Sequence, residues 1–240
     1  MLSLMTASIV AASPGHRESL LPLEQEFFPE AGADGGFVFD GPAVDPLLAQ
    51  RKASAPVASV DSQVAGFAFA QPWAPRNFPR DLYTDFILSY VAVAREQQNQ
   101  GIGSQLVRWV EADVRGRGSN LILAHVPAHL ETFYSGLGWT VLPERTGLGW
   151  TQNGADVPIK ADSPDDDPRW SRLAYIALRP EKVETFTFVV NTTKPVLDAA
   201  RRLAELARND SELRASLPAI VTAQIGVFGA PVRGAFGQIV

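Results

Sequence analysis

The 240-residue chain contains no cysteine. That removes disulfides, thiolate metal sites and cysteine nucleophiles together, and leaves a cytoplasmic protein as the default expectation. Positive charge is also short: 21 Lys and Arg stand against 26 Asp and Glu, for a formal net charge of −5 with no dense basic run. Phosphate-backbone binding leaves a basic footprint, so no nucleic-acid partner is expected. His125 and His129 without a cysteine make a poor zinc set, and Asp165, Asp166 and Asp167 lack the alternating spacing of a calcium loop. No metal is expected. No apolar run approaches the ~20 residues that span a bilayer, so no membrane partner is expected. The first twelve residues are apolar, but the first basic residue is Arg17, and a signal peptide would need positive charge ahead of its apolar stretch.

What remains is a composition of 46% hydrophobic and 20% charged residues, that of a globular protein able to bury a core. Residues 6–11 form an expected strand and residues 17–28 an expected helix, with apolar spacing at Leu20, Leu21, Leu23 and Phe27. A second short helix is expected within residues 44–51. Residues 57–60 and 64–70 predict a hairpin around Asp61, Ser62 and Gln63. Residues 85–93 predict a buried strand. After it, Ile102, Leu106, Trp109, Val110 and Val114 recur at helical intervals, with Gly116 and Gly118 as the stop. Strands are expected at 121–126, 139–142, 173–178 and 184–190, and a helix at 195–207. The pentapeptide at 136–140, Gly-Leu-Gly-Trp-Thr, returns at 147–151.

The junction between the strand and the helix carries the chemistry. A strand that feeds Gly101-Ile102-Gly103-Ser104 at a helix start exposes unpaired N–H groups aligned with the positive end of the helix dipole, which suits a diphosphate. Two familiar phosphate loops fail on the same residues. No Lys-Ser or Lys-Thr follows the second glycine, as a P-loop needs. The third glycine of a dinucleotide fingerprint would fall at Leu106, and no acidic residue ends the next strand to hold a ribose.

The run Gln98-Asn99-Gln100-Gly101-Ile102-Gly103 resembles the acetyl-CoA signature of the GNAT superfamily of N-acetyltransferases, Gln/Arg-x-x-Gly-x-Gly/Ala. About thirty residues on, Phe133-Tyr134-Ser135-Gly136-Leu137-Gly138-Trp139 resembles that family's tyrosine helix followed by glycine and an aromatic. The resemblance covers roughly residues 6–178 and is strongest over 85–142. It implies an α/β (α+β) GNAT fold, with a mixed central sheet splayed between its fourth and fifth strands. Residues 1–180 would be the acyltransferase domain, and 181–240 a C-terminal α/β accessory extension that covers the core or mediates assembly, a homodimer included. The cosubstrate implied is acetyl-CoA. Val91, Ala92 and Val93 would run beside its pantetheine arm, Val91 and Val93 pairing with it through the backbone. The amides of Gln98, Asn99, Gln100, Gly101, Ile102, Gly103 and Ser104 would hold the pyrophosphate.

The reaction implied is direct attack on the thioester by a primary amine, small-molecule or peptide. Tyr134 matches the family's proton donor to the CoA thiolate; a phenol of ordinary pKa ~10 stays protonated at neutral pH. Its alternative role is packing beneath the cofactor. The base glutamate of some histone-modifying members is Ile87 here. Asp85 and Ser89, on one strand face by the period of two, are the candidates to order a water or receive a proton. The family's common arginine and the glycine after it are replaced by Gln98 and Asn99. Without the glutamate, the alternative is a catalytically silent GNAT-fold protein that binds CoA or a protein partner. Trp73, Phe78 and Tyr83 are expected near the acceptor mouth.

Overall fold

A computed structural model describes residues 7–29, 31, 36–73, 85–152, 155–159 and 172–189. They fall into two compact units, with the boundary between Ile122 and Leu123.

The first unit has an antiparallel sheet in the order β1 (Ser8–Ala11), β2 (Pro56–Val60), β3 (Gln63–Pro72), β4 (Phe86–Val93). The β2–β3 turn needs only two residues, Asp61 and Ser62, at φ of 50° and 66°. Both lie in the left-handed region that a tight hairpin requires, because that backbone twist matches the twist of the flanking strands. Between β1 and β2 come α1 (Arg17–Phe27) and α2 (Asp45–Ala49); α3 (Ile102–Gly116) follows β4.

The stripe read from the sequence is the buried face of α3: Ile102, Leu106, Val110 and Val114 are buried, while Trp109 is half-buried. Each fully buried aliphatic side chain contributes about 1.5–3 kcal/mol, enough to fix the helix against β2, β3 and β4, which it contacts. Arg117 ends the helix and clamps it. Its guanidinium donates to the carbonyls of Arg51, Lys52 and Ala53, pairs with Asp113 and lies 5.7 Å from the Phe86 ring centroid.

On α1 a carboxylate sits where the helical spacing calls for an apolar residue. Glu24 is 0% exposed and accepts the amides of Val38 at 2.7 Å and Phe39 at 2.9 Å. Burial raises its pKa above the ordinary range, and the two amide bonds work against that rise. The contact sets Phe39 edge-on to Phe67 and Phe69, with centroids 5.2 and 5.9 Å away.

β5 (Leu121–Val126) crosses the boundary, and the second unit continues with α4 (Glu131–Gly136) and β6 (Thr140–Val141). Next come β7 (Thr146–Gln152), β8 (Ala155–Ile159), β9 (Arg172–Ala177) and β10 (Glu184–Val189). β6 pairs antiparallel with β9, and a separate antiparallel sheet has the order β10-β7-β8. β10, at the start of the expected extension, is therefore paired with β7 along its whole length. The expected helix at 195–207, the aspartates at 165–167, and Phe78 and Tyr83 lie outside the described residues. Among the described residues no helix is long and apolar enough to cross a membrane.

Candidate active site

β4 is the strand from which the site is built. The Ala94 amide donates to the Ala65 carbonyl at 2.9 Å, which makes those two a hydrogen-bonded pair. Antiparallel pairs alternate between bonded and non-bonded. The register Gly66↔Val93, Phe67↔Ala92, Ala68↔Val91 therefore turns the N–H and C=O groups of Val91 and Val93 away from β3, as pairing with a ligand's amide chain demands. Ala92 bonds to β3 instead. Close approach of β3 here depends on Gly66: a Cβ at that position would lie 2.6 Å from the Ala92 carbonyl oxygen.

Farther back the register slips. Phe69 faces Tyr90, but Ala70 faces Leu88, so Ser89 is the extra residue of a β-bulge. The bulge corrects one expectation. The period of two that put Asp85 and Ser89 on one face does not run unbroken between them, because a bulge inserts a residue without a partner. Asp85 precedes the strand, is 0% exposed, and accepts the Trp73 amide at its main-chain carbonyl. Ser89 is half-buried, with its hydroxyl 3.5 Å from the Gln71 side-chain nitrogen. Ile87 is buried.

From β4 the chain makes a single 3-10 turn over Arg95–Gln97. Arg95 anchors it, paired with Glu26 at 2.7 Å and lying over the Phe27 ring at 5.8 Å. The Gln98 side-chain amide then donates to the Val93 carbonyl at 3.0 Å, and that of Gln100 to the Glu96 carbonyl at 3.3 Å. Asn99 has a φ of 60°, and Gly101, the N-cap of α3, a φ of 81°. The first helical bond runs from the Gln105 amide to the Gly101 carbonyl at 3.1 Å. The amides of Ile102, Gly103 and Ser104 thus have no acceptor within the helix. No acidic side chain occupies the first turn, which leaves the positive end of the dipole to an external anion. Ile102 is buried and holds the turn in place, while Gln98 to Gly101 are exposed.

Tyr134 belongs to the second unit. It is 5% exposed on α4, with Phe133 and Trp139 at ring-centroid distances of 5.1 and 5.2 Å. Burial pushes its phenol well above the ordinary pKa of 10, so the hydroxyl keeps its proton at any physiological pH. His125 is half-buried and His129 exposed.

Two residues that shape the first unit escaped the sequence reading, each with a visible signal. Gly66 interrupts a strand pattern, the mark of a close backbone approach. Glu24 interrupts the apolar stripe of α1.

Residues 52–141 match the family model described as acetyltransferase (GNAT) domain. No curated protein matches the chain. Among solved structures, an N-acetyltransferase from Staphylococcus aureus Mu50 is similar at 17% identity and a TM-score of 0.50, over 72% of this chain and 99% of that one. The GNAT family N-acetyltransferase YhbS from Escherichia coli, in complex with CoA, is similar at 15% identity and a TM-score of 0.51, over 76% of this chain and 87% of that one. The matched segment contains β2, β3, β4 and the whole loop from Gln98 to Ser104. Residues 52–141 are thus similar to a GNAT acetyltransferase domain, and the chain has the mixed α/β architecture of the GNAT fold.

Proposed function

We propose that the chain moves an acetyl group from acetyl-CoA to a primary amine, small-molecule or peptide, by direct attack of the amine on the thioester. One observation carries this reading: the backbone edge at Val91 and Val93 leads into an α3 N-terminus whose first turn holds no acidic side chain. An amide-bearing chain that ends in a diphosphate fits that sequence of donors and acceptors. Val91 and Val93, with Ala92 between them, would hold the pantetheine arm, and the amides from Gln98 to Ser104 the pyrophosphate. Acetyl-CoA supplies the activated acyl group.

Tyr134 is the proposed donor to the departing sulfur. A phenol whose pKa lies far above that of a thiol (~8.5) favours a hydrogen bond over complete proton transfer. The raised pKa therefore supports stabilisation of the thiolate by hydrogen bonding. Asp85 and Ser89 are the proposed groups for receiving a proton or ordering water at the other end. Residues 181–240 are the proposed covering or assembly element.

Thiol release from acetyl-CoA tests the reading, measured across peptide N-termini, lysine peptides, polyamines and aminoglycosides. At least one amine should release thiol. Tyr134→Phe should then lower kcat about 100-fold with little change in the KM for acetyl-CoA, and Gly103→Trp should abolish CoA binding. A second reading rests on Ile87, apolar and buried at the position of the family's base: a catalytically silent fold that binds CoA or a protein partner. Tight CoA binding with no thiol release from any amine would favour it and sink the first.

A further inference from the structure

A cavity of about 300 Å³ lies wholly within the first unit, on the other half of α3 from the phosphate loop. Trp109 and Arg117, which line it, stand about 8 and 20 Å along the helix axis from Ser104 at 1.5 Å per residue. Its apolar wall includes Ile9, Leu48 and the half-buried Trp109. Edge strand β1 supplies polar groups. The Ala12 amide donates to the Ala55 carbonyl at 2.7 Å, so in the register Ala11↔Pro56, Val10↔Val57, Ile9↔Ala58 the backbone groups of Ile9 and Ala11 point away from β2. Pro56, without an N–H, fits the non-bonded position opposite Ala11.

Arg51 also lines the cavity, and its backbone is in the wrong conformation for an arginine. At φ 51° it is the residue just past the C-cap of α2. The Arg51 amide donates to Leu48 and the Lys52 amide to Leu47, the bond pattern of a Schellman motif, whose left-handed residue is usually glycine. A side chain there strains the backbone, and strain kept at the lip of a cavity points to a use for that side chain. Among the described residues the Arg51 guanidinium has no ion pair or hydrogen bond. The other charges at the cavity are spent on each other and on carbonyls: Arg117 is paired with Asp113 and donates to residues 51–53. One exposed positive charge with no partner among the described residues therefore sits at the lip of the cavity, beside an aromatic and aliphatic wall.

We propose that this cavity binds a small organic carboxylate with a compact apolar body. The carboxylate pairs with the Arg51 guanidinium, and the apolar part lies against Trp109 and Leu48. A volume of about 300 Å³ is at the small end for ligand pockets, which sets the size. The site does not depend on the acetyltransferase reading.

Benzoate is the probe, with neutral benzamide as control, followed by calorimetry and thermal denaturation of the full chain. Benzoate should bind saturably in the millimolar range, more tightly than benzamide, and CoA at saturation should not displace it. Arg51→Gly should raise the Tm of the free protein by about 2 °C or more, because glycine relieves the strain, while weakening benzoate at least tenfold. Arg51→Asn, which tolerates a positive φ and lacks the charge, should weaken it equally. Trp109→Leu should also weaken it. The proposal is overturned by no saturable benzoate binding below about 10 mM, by displacement with CoA, or by unchanged affinity in either Arg51 variant. A fall in Tm for Arg51→Gly overturns it too, since the arginine would then be serving the fold.

Discussion

The Gln98 side-chain amide donates to the main-chain carbonyl of Val93 at 3.0 Å. This ties the first residue of the proposed phosphate loop to the carbonyl that faces the proposed pantetheine path. The contact answers what a glutamine does where the family commonly has arginine: it shapes the loop and adds no charge. Removing it in Gln98→Ala should weaken CoA about fivefold, the worth of one net hydrogen bond near 1 kcal/mol. Gln98→Glu should weaken it more than tenfold, because a carboxylate would meet both that carbonyl and the diphosphate. Calorimetric titration with CoA distinguishes these from the opposite order, which would remove Gln98 from the site.

Gly66→Ala places a methyl group 2.6 Å from the Ala92 carbonyl oxygen, against backbone that cannot swing aside. The strands must part, at a cost of about 1–3 kcal/mol. For a chain of this size the Tm should fall by roughly 2–4 °C per kcal/mol. CoA should also bind more weakly, since the parted strand is β4. A Tm and CoA affinity both equal to wild type would show that β3 and β4 do not approach this closely.

Glu24 predicts a pH dependence with a definite sign. Burial, the largest cause, lifts its folded pKa above the ordinary 4.5 despite two opposing amide bonds, and nearby Asp40 adds to the rise. The folded chain therefore holds this proton more tightly than the unfolded chain. The resulting stabilisation is fully present below about pH 4.5 and is lost as pH rises through the folded value. Glu24→Ala, which orphans the Val38 and Phe39 amides, should cost about 2–4 kcal/mol. The gap between wild type and variant in urea denaturation should narrow as pH rises across that window. A gap that widens would mean the amide bonds outweigh burial.

Much of the site is legible in the sequence because its signals are local. Gly101 and Gly103 stand at a helix start where a backbone would approach the proposed diphosphate, and the apolar stripe from Ile102 to Val114 needs only the 3.6-residue period to be recognised. The Asp61-Ser62 turn belongs with them, since tight hairpins draw on a small set of residues. Asp85 and Ser89 illustrate the opposite case. Counting by twos works only while the ladder is regular, and the bulge at Ser89 is a property of how β4 pairs with β3. The clamp of Arg117 on residues 51–53 and the two bonds of Glu24 are equally invisible to a window of neighbours, because their partners lie 64–66 and 14–15 positions away.

The repeated pentapeptide draws the line most sharply. At 136–140 it closes α4, turns through Gly138 at φ 86°, and enters β6; at 147–151 the same five residues lie inside β7, paired with β10. The sequence by itself determined the helix, the glycine turn that opens it and the short helix of the tyrosine, because backbone propensity and side-chain period decide those within a dozen residues. Only the tertiary structure decided which glycines bend and which extend, that the backbone groups of Val91 and Val93 turn away from β3, and which carboxylate is buried. Each of those depends on a partner brought in from elsewhere in the chain, and Trp139 and Trp150, both buried, end identical Gly-Leu-Gly-Trp runs in two different backbones.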